Sequence, residues 1–150
     1  MEKKVIEKIV KRALKAELNK MMDKKYENIS VQTDDQFTYI VFNDAVMHII
    51  PKEYYILKND NNNESLCNLF KELCITENYL ATRTGYHVLL EDKRELIQYN
   101  VEQFDMNYYY NSDLLKEFGD NYNLSINRKG FAIVKDLQGF AIGIICPVKH

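Results

Sequence analysis

Basic side chains recur on one side of the first predicted helix, and their type and spacing suit a binding role. From residue 4 to residue 22 the helical period is uninterrupted, and Ile6, Ile9 and Leu14 fall on one side. The other side gathers, within about 100° of arc, five residues that we call the basic face: Lys4, Lys8, Lys11, Arg12 and Lys15. Such cations can contact phosphates of a nucleic acid without reading its sequence, although lysines on an exposed helix face are commonly only solvated.

Three consecutive tyrosines form a second candidate binding element. Tyr108, Tyr109 and Tyr110 could stack on bases or anchor a protein partner, because tyrosine combines an apolar ring with a polar tip. If the run lies in a strand, alternation buries either Tyr109 or its two neighbours. Structure alone therefore explains at least part of this run.

The residue types that most often carry catalysis or bind metals stand in patterns with ordinary structural explanations. Cys67 and Cys74 lie on one predicted helix about two turns apart, roughly 10 Å, which is too far for two ligands of one zinc ion. His48 and His87 fall in apolar runs and fit core or interface positions better than catalytic ones. Asp34-Asp35 is a carboxylate pair at a predicted turn, where aspartate is favoured. We expect no enzymatic activity, no cofactor, no metal site and reduced thiols.

Composition places these residues in one globular domain with segregated charge. The 150 residues are 46% apolar and 28% charged, which is ordinary for a single folded domain. No apolar run reaches the roughly 18 residues of a membrane helix and no signal-peptide pattern appears, so we expect a cytoplasmic protein without membrane contact. Residues 1–25 hold nine basic and four acidic residues, whereas the remaining 125 hold eleven and eighteen. The chain therefore joins a basic N-terminal helix to an acidic body.

The predicted elements form two units of one helix followed by three antiparallel strands, in an α+β domain. The first unit spans residues 1–58, an intervening segment spans 59–93, and the second unit spans 94–150. In the first unit we predict strands at 29–33, 37–42 and 46–50, and an edge segment at 54–57. The intervening segment begins with an exposed loop at 59–63 and a helix from Ser65 to about Cys74.

The second half of the chain is predicted to begin with a long strand pair. Strands at 79–90 and 95–104 reverse at 91–94, with Gly85 as a bulge. A helix capped by Asn111 or Ser112 then runs to Gly119. The strands of the second unit are predicted at 122–127, 131–135 and 140–146.

The C-terminal third, about residues 95–149, resembles the end of bacterial DNA sliding-clamp domains. The resemblance rests on the helix Asp113-Leu114-Leu115-Lys116-Glu117-Phe118, on strand segments at 124–126 and 131–134, and on the ending Gly143-Ile144-Ile145-Cys146-Pro147-Val148-Lys149. It implies a domain of two helix-containing halves, closure of several domains into a ring, basic helices facing DNA, and no chemistry. The third helix departs from that pattern, since Asp113, Glu117 and Asp120 make it acidic.

These observations predict a non-enzymatic, clamp-like binding protein of DNA metabolism. It would self-associate, bind double-stranded DNA through the basic face and engage a protein partner. Its richness in lysine, asparagine and isoleucine suggests an AT-rich bacterial or phage genome, and we expect a protein of a phage or other mobile element. The alternative is a mobile-element inhibitor that blocks a host nuclease or defence factor through its acidic body.

Overall fold

The computed structural model describes residues 2–55 and 65–150 and has a mixed α+β architecture with antiparallel sheets, as predicted. The elements of its first half are α1 (Lys3–Met21), β1 (Ile29–Thr33), β2 (Phe37–Phe42), β3 (Val46–Pro51), a 3-10 turn (Lys52–Tyr54) and α2 (Ser65–Ile75). Those of its second half are β4 (Asn78–Leu80), β5 (Thr82–Leu89), β6 (Glu95–Val101), a 3-10 turn (Glu102–Phe104), β7 (Met106–Asn111), α3 (Ser112–Lys116), β8 (Asn123–Asn127), β9 (Ala132–Lys135) and β10 (Ala141–Ile145).

Two three-stranded meanders meet at the centre of a seven-stranded sheet. The strand order is β1-β2-β3-β10-β9-β8-β4, so β3 and β10 form the antiparallel pair that joins the two halves. Each meander follows a helix, and the predicted repetition of one helix and three strands is confirmed at the level of elements. The other sheet has the order β5-β6-β7.

The alternation of side chains across the central sheet creates two apolar layers. On one face, α1, α3 and the three-stranded sheet share a core that includes Ile9, Ala13, Leu115 and Phe118. On the other face, α2 packs against a smaller cluster that includes Met47 and Cys67. Because α1 and α3 lie on the same face, side chains from distant parts of the sequence can meet there.

Glycine permits the close packing of the second unit against the centre of the sheet. Gly143 in β10 lies beside His48 of β3, and a Cβ atom at residue 143 would collide with the ring of Phe118 and lie 2.6 Å from the carbonyl oxygen of Met47. Only glycine leaves room for that ring. The turn that follows the third helix and carries Phe118 is thereby packed directly on the central strand pair.

The predicted strand at 79–90 proved wrong as a single element. The chain leaves the seven-stranded sheet after β4, passes through Ala81, and enters the three-stranded sheet as β5. The predicted bulge at Gly85 is confirmed by its φ of +86° and by a register shift between Arg83 and His87. Hydrophobic pattern does not encode a change of sheet, because both sheets use the same two-residue period.

Two further predictions about local structure needed correction. The third helix is short, ending at Lys116, although Asn111 caps it by accepting a hydrogen bond from the backbone N–H of Asp113 as expected. Tyr54 lies in a 3-10 turn, not in an edge strand. Tyr55 follows that turn and is likewise outside any strand, whereas residues 56–57 and the predicted loop at 59–63 lie outside the described residues. No helix within 2–55 and 65–150 is long and apolar enough to cross a membrane.

Candidate functional site

A groove runs beside α1 and contains most of the basic face. One wall and the floor come from the helix, and the other wall comes from the chain that follows it, residues 25–27. Its volume is about 810 Å³, within the range of ligand-sized cavities. The lining residues are Lys8, Lys11, Arg12, Lys15, Ala16, Asn19, Lys25, Tyr26 and Glu27. We call this feature the basic groove.

The amphipathic sequence of α1 explains why its cations line the groove. Ile6, Ile9, Ala13 and Ala16 are buried against the core and fix the rotation of the helix. Since residues three or four apart share a face, this rotation turns the lysines outward. Lys4 is exposed one turn before the groove.

The groove is strongly cationic. Its lining has five basic side chains and one carboxylate, that of Glu27. Lys8, Lys11 and Lys15 are exposed on α1, and Lys25 is exposed on the opposite wall. Arg12 and Glu27 form an ion pair whose charges largely cancel, so the cationic field of the groove comes from these four lysines. This arrangement favours an anionic ligand that can contact several cations at once.

Arg12 differs from the other members of the basic face, because it binds protein groups. Its Nε and Nη2 donate to the two carboxylate oxygens of Glu27 at 2.8 and 2.7 Å, and its Nη1 donates to Oε1 of Glu117 at 2.8 Å. The guanidinium carbon lies 3.9 Å from the ring centroid of Phe42. Phosphate binding by Arg12 stays a prediction, and a guanidinium held by two carboxylates has few donors left for it.

Below Arg12, a buried histidine shares the same carboxylate. Nε2 of His48 lies 2.8 Å from Oε1 of Glu117, and the His48 ring is fully buried between Phe42 and Phe118. Nδ1 of His48 has no hydrogen-bond partner within the described part of the chain. Burial lowers the pKa of His48, and the hydrogen bond to Glu117 only partly offsets that effect. His48 is therefore neutral at pH 7, and Nε2 donates to Glu117.

The hydrogen bonds of Arg12 also set the electrostatics of Glu27. The hydrogen bonds from Arg12 lower the pKa of the Glu27 carboxyl, and its burial works against them. The hydrogen bond to Glu27 likewise raises the pKa of the Arg12 guanidinium. Both groups are charged throughout the physiological range. Arg12, Glu27, Glu117 and His48 thus form one ion-pair network that fastens α1 to the chain beyond it and to the end of α3.

Two groove residues, Lys25 and Tyr26, were missed by the sequence analysis. Tyr26 is 47% exposed, and Nζ of Lys20 lies 6.0 Å from its ring centroid, at the outer limit of a cation–π contact. The signal that could have found them is the run Lys24-Lys25-Tyr26 directly after the helix. Cations beside an aromatic ring are a common pattern in nucleic-acid grooves.

The three tyrosines predicted to bind a partner lie in β7, and two of them are buried. Tyr108 and Tyr110 are 8% and 0% exposed, and their hydroxyls donate to the carbonyl oxygens of Arg128 and Gly130. Tyr109 points the other way, with its hydroxyl accepting from Nε2 of Gln98. Partner binding by this run stays a prediction, and only Tyr109 has partly accessible side-chain surface for it.

The remaining polar clusters have structural explanations. Asp34 accepts hydrogen bonds from the backbone N–H groups of Gln36 and Phe37 and from the hydroxyl of Tyr39. Burial would raise the pKa of Asp34, but these hydrogen bonds outweigh it and lower the pKa to about 2. Cys67 also contacts this carboxylate, with Sγ 3.4 Å from Oδ2. The cluster closes the turn between β1 and β2 and attaches α2 to it.

A second cleft, of about 650 Å³, lies between the three-stranded sheet and α3. Arg83, Lys116 and Asp120 are among its lining residues, so its charges are mixed. Within the described ranges no group of histidine, cysteine and carboxylate side chains could hold a metal ion. The basic groove is consequently the site with the clearest chemical preference.

Comparison with known proteins adds no relative to this description. No family model, no curated protein and no solved structure matches the chain. Any function must therefore be argued from the site itself.

Proposed function

We propose that this protein is a non-enzymatic, clamp-like accessory protein of DNA metabolism from a phage or other mobile element. It acts in the cytoplasm, self-associates, and holds DNA by sequence-independent phosphate contacts in the basic groove. The observation that carries the proposal is the lining of that groove, in which four exposed lysines stand beside one internal ion pair, Arg12–Glu27. A concave cationic surface concentrates a polyanion far more than scattered lysines do.

The clamp-like part of the proposal rests on separate support. The C-terminal sequence resembles bacterial sliding-clamp domains, and the domain contains two meanders that each follow a helix. Glu117 helps to explain the acidic third helix, because its carboxylate is turned towards Arg12 and His48. Of the two helices on this face, only α1 then presents the basic surface on which DNA binding depends.

Charge reversal in the groove tests DNA binding directly. The variant Lys8→Glu/Lys15→Glu should lose affinity for a labelled 30-base-pair duplex at least tenfold in fluorescence anisotropy at low salt. Its dependence of log K on log salt should also become shallower, because about two phosphate contacts are lost, each contributing a slope of about 0.9.

A matched control separates the groove from overall charge. Lys71 and Lys129 are exposed and lie away from the groove. The variant Lys71→Glu/Lys129→Glu has the same net charge as the groove variant and should bind almost like the unaltered protein. Equal losses in the two variants, or no loss in either, would overturn the proposal.

Inhibition of a nucleic-acid-binding host protein is the second candidate function. Its specific support is an exposed apolar patch at the end of α2, where Ile75 and Leu80 are 85% and 65% exposed, in a chain whose residues 26–150 carry a net charge of −7. Glu72 and Glu77 lie in the adjoining cleft together with Arg128 and Lys129. Such a patch could occupy a basic nucleic-acid site. This candidate predicts no affinity for DNA alone, and a defined complex with a host nuclease that is lost in Glu72→Lys/Glu77→Lys. If the unaltered protein binds DNA and forms no complex with a host nuclease, this second candidate function is rejected.

A further inference from the structure

The lining of the basic groove decides which form of nucleic acid suits it. The buried face of α1 packs on the core, and residues 25–27 line the groove beside the exposed lysines of the helix. These lysines are accessible to the phosphates of a duplex and of a single strand alike. Charge alone therefore does not distinguish the two forms, and the distinction depends on the other lining residues.

The lining of the groove also offers contacts that a duplex cannot use fully. Tyr26 presents a half-exposed ring among the lysines of the lining. In a duplex the base faces are stacked on one another, and mainly phosphates and sugars face outward. In a single strand the base faces are accessible, and stacking on an aromatic side chain is tolerant of sequence. An aromatic ring among cations therefore matches bases and phosphates together.

The cations are placed on both sides of the ring. Lys8, Lys11 and Lys15 line the α1 wall over about 10 Å of helix, and Lys25 lies next to Tyr26 on the opposite wall. Lys20 approaches the ring itself. A flexible strand can bend to reach both walls, whereas a duplex is stiff over this distance.

From this geometry we infer that the basic groove binds single-stranded DNA in preference to duplex DNA, with a base stacked on Tyr26 and the neighbouring phosphates on Lys8, Lys11, Lys15 and Lys25. The inference rests on the proposed function, and it identifies the form of DNA that the site takes. Asn19 and the lysines contact backbone or base edges without a fixed pattern, so little sequence preference is expected.

Fluorescence anisotropy with three labelled probes of equal length tests the inference. The probes are a 20-nucleotide thymidine strand, a 20-base-pair duplex, and an abasic 20-mer that has the phosphates but no bases. At low salt, the full-length protein should bind the thymidine strand at least tenfold more tightly than either other probe. Tyr26→Ala should weaken binding of the thymidine strand by about 5- to 150-fold, the range for one stacked base, and leave the duplex and abasic affinities unchanged.

Two control variants separate stacking from other effects. Tyr26→Phe should keep the affinity for the thymidine strand, since the ring remains. Tyr86 in β5 is a matched exposed tyrosine, 55% accessible, far from the groove lining, and Tyr86→Ala should change nothing. Far-ultraviolet circular dichroism of each variant checks that the fold is retained.

The possible outcomes distinguish this inference from the function on which it rests. The inferred preference for single strands would be overturned if the duplex or the abasic strand bound as tightly as the thymidine strand or more tightly, or if Tyr26→Ala left the affinity for the thymidine strand unaltered. In either case the proposed DNA binding would still be supported. Failure to bind any of the three probes would overturn both. Co-sedimentation with vesicles of 30% phosphatidylserine, in the absence of DNA binding, would assign the groove to an anionic lipid surface and would also overturn both.

Discussion

Arg12 stabilises the fold, although its position in the helical pattern gives it the same expected role as the neighbouring lysines. Arg12→Ala removes the hydrogen bonds to Glu27 and Glu117 and uncovers the ring of Phe42. Because the side chain is about one-third exposed, solvent screens part of the loss, and we expect the free energy of unfolding to fall by about 1–3 kcal/mol. Urea denaturation measures this value.

Lys11→Ala is the matched control for that prediction. Lys11 is exposed on the adjacent position of the same helix and should change the free energy of unfolding by less than about 0.5 kcal/mol. For DNA affinity we expect the opposite order: Lys11→Ala should weaken binding more than Arg12→Ala does, because it removes a phosphate contact. If both variants unfolded like the unaltered protein, Arg12 would be a solvated surface residue.

His48 makes the free energy of unfolding depend on pH in a predictable direction. Burial lowers its pKa in the folded state, whereas the unfolded chain takes up the proton near the ordinary value of 6.5. The unfolded state therefore binds more protons, and stability decreases as the pH falls below about 6.5, by at most about 1.4 kcal/mol for each unit. The free energy of unfolding, measured between pH 7.5 and 5.0, should show this slope and His48→Gln should remove it.

The choice of pH range and control isolates His48 from the other groups with shifted pKa values. The lowered pKa values of Glu27 and Asp34 contribute stability that is lost only below their ordinary values of 4.5 and 3.8. His87 is exposed in β5, and His87→Gln should keep the slope. A slope that persists in His48→Gln would mean that this histidine is not buried in its neutral form.

At the residue scale, sequence predicts which side chains lie on a face but not which of them find partners. The helical period correctly placed Lys8, Lys11 and Lys15 outside the core. It could not show that Glu27 and Glu117 reach Arg12, because Glu117 is 105 residues away from Arg12 in the sequence. Tyr26 was missed for a similar reason, since its role depends on how the chain folds back beside α1.

At the element scale, the packing of α3 on the sheet depends on Gly143. Glycine inside a strand normally costs stability, and replacement by alanine would usually gain about 0.5–1 kcal/mol. Here we expect the opposite sign, a loss of about 1–3 kcal/mol, because the added Cβ would meet Phe118 and the Met47 carbonyl oxygen. Chemical denaturation of Gly143→Ala gives the value.

A double-mutant cycle identifies the cause of that loss. Phe118→Leu removes part of the ring that the new Cβ would meet, so the cost of Gly143→Ala should be smaller in that background. Part of the cost remains, because the carbonyl oxygen of Met47 is backbone. Fully additive costs would show that Phe118 is not the obstacle, and a stabilising Gly143→Ala would contradict the close packing altogether.

The elements with one clear local signal were predicted well, and the errors arose where tertiary contacts decide. The strands of both meanders are confirmed to within a residue or so, since turn residues bound each of them. The division of 79–90 between two sheets follows from the pairing of β4 with β8 and of β5 with β6, which no local pattern reveals. The third helix ends early although Leu114, Leu115 and Phe118 suit a longer one, and Phe118 packs from the loop beyond its end.

At the scale of the whole molecule, segregated charge should confine DNA to one face. Residues 1–25 carry a net charge of +5 and the remaining chain a net charge of −7. The acidic body repels a polyanion, so the groove is the surface left to bind it. Four lysine contacts predict a slope of log K against log salt of about −3 for a single strand. A slope near zero in an anisotropy titration from 50 to 300 mM salt would contradict a phosphate-binding site.

The clamp-like proposal makes its own prediction about mass. Closure into a ring requires a discrete oligomer, whereas open head-to-tail contacts would give a broad distribution of sizes. Among the described residues, the short outer strand β4 and the exposed strand β5 each have an edge with no partner strand, through which copies could associate. Size-exclusion chromatography with light scattering should therefore show one oligomer whose mass does not change over a tenfold range of protein concentration. It should carry DNA at low salt and release it at high salt.

A monomer that binds DNA at low salt and releases it at high salt would support DNA binding by the groove and contradict closure into a ring. Phosphate binding needs only α1 and residues 25–27, so it does not depend on an oligomer. A monomer that does not bind DNA would contradict both DNA binding and ring closure, and would favour the second candidate function, inhibition of a host protein.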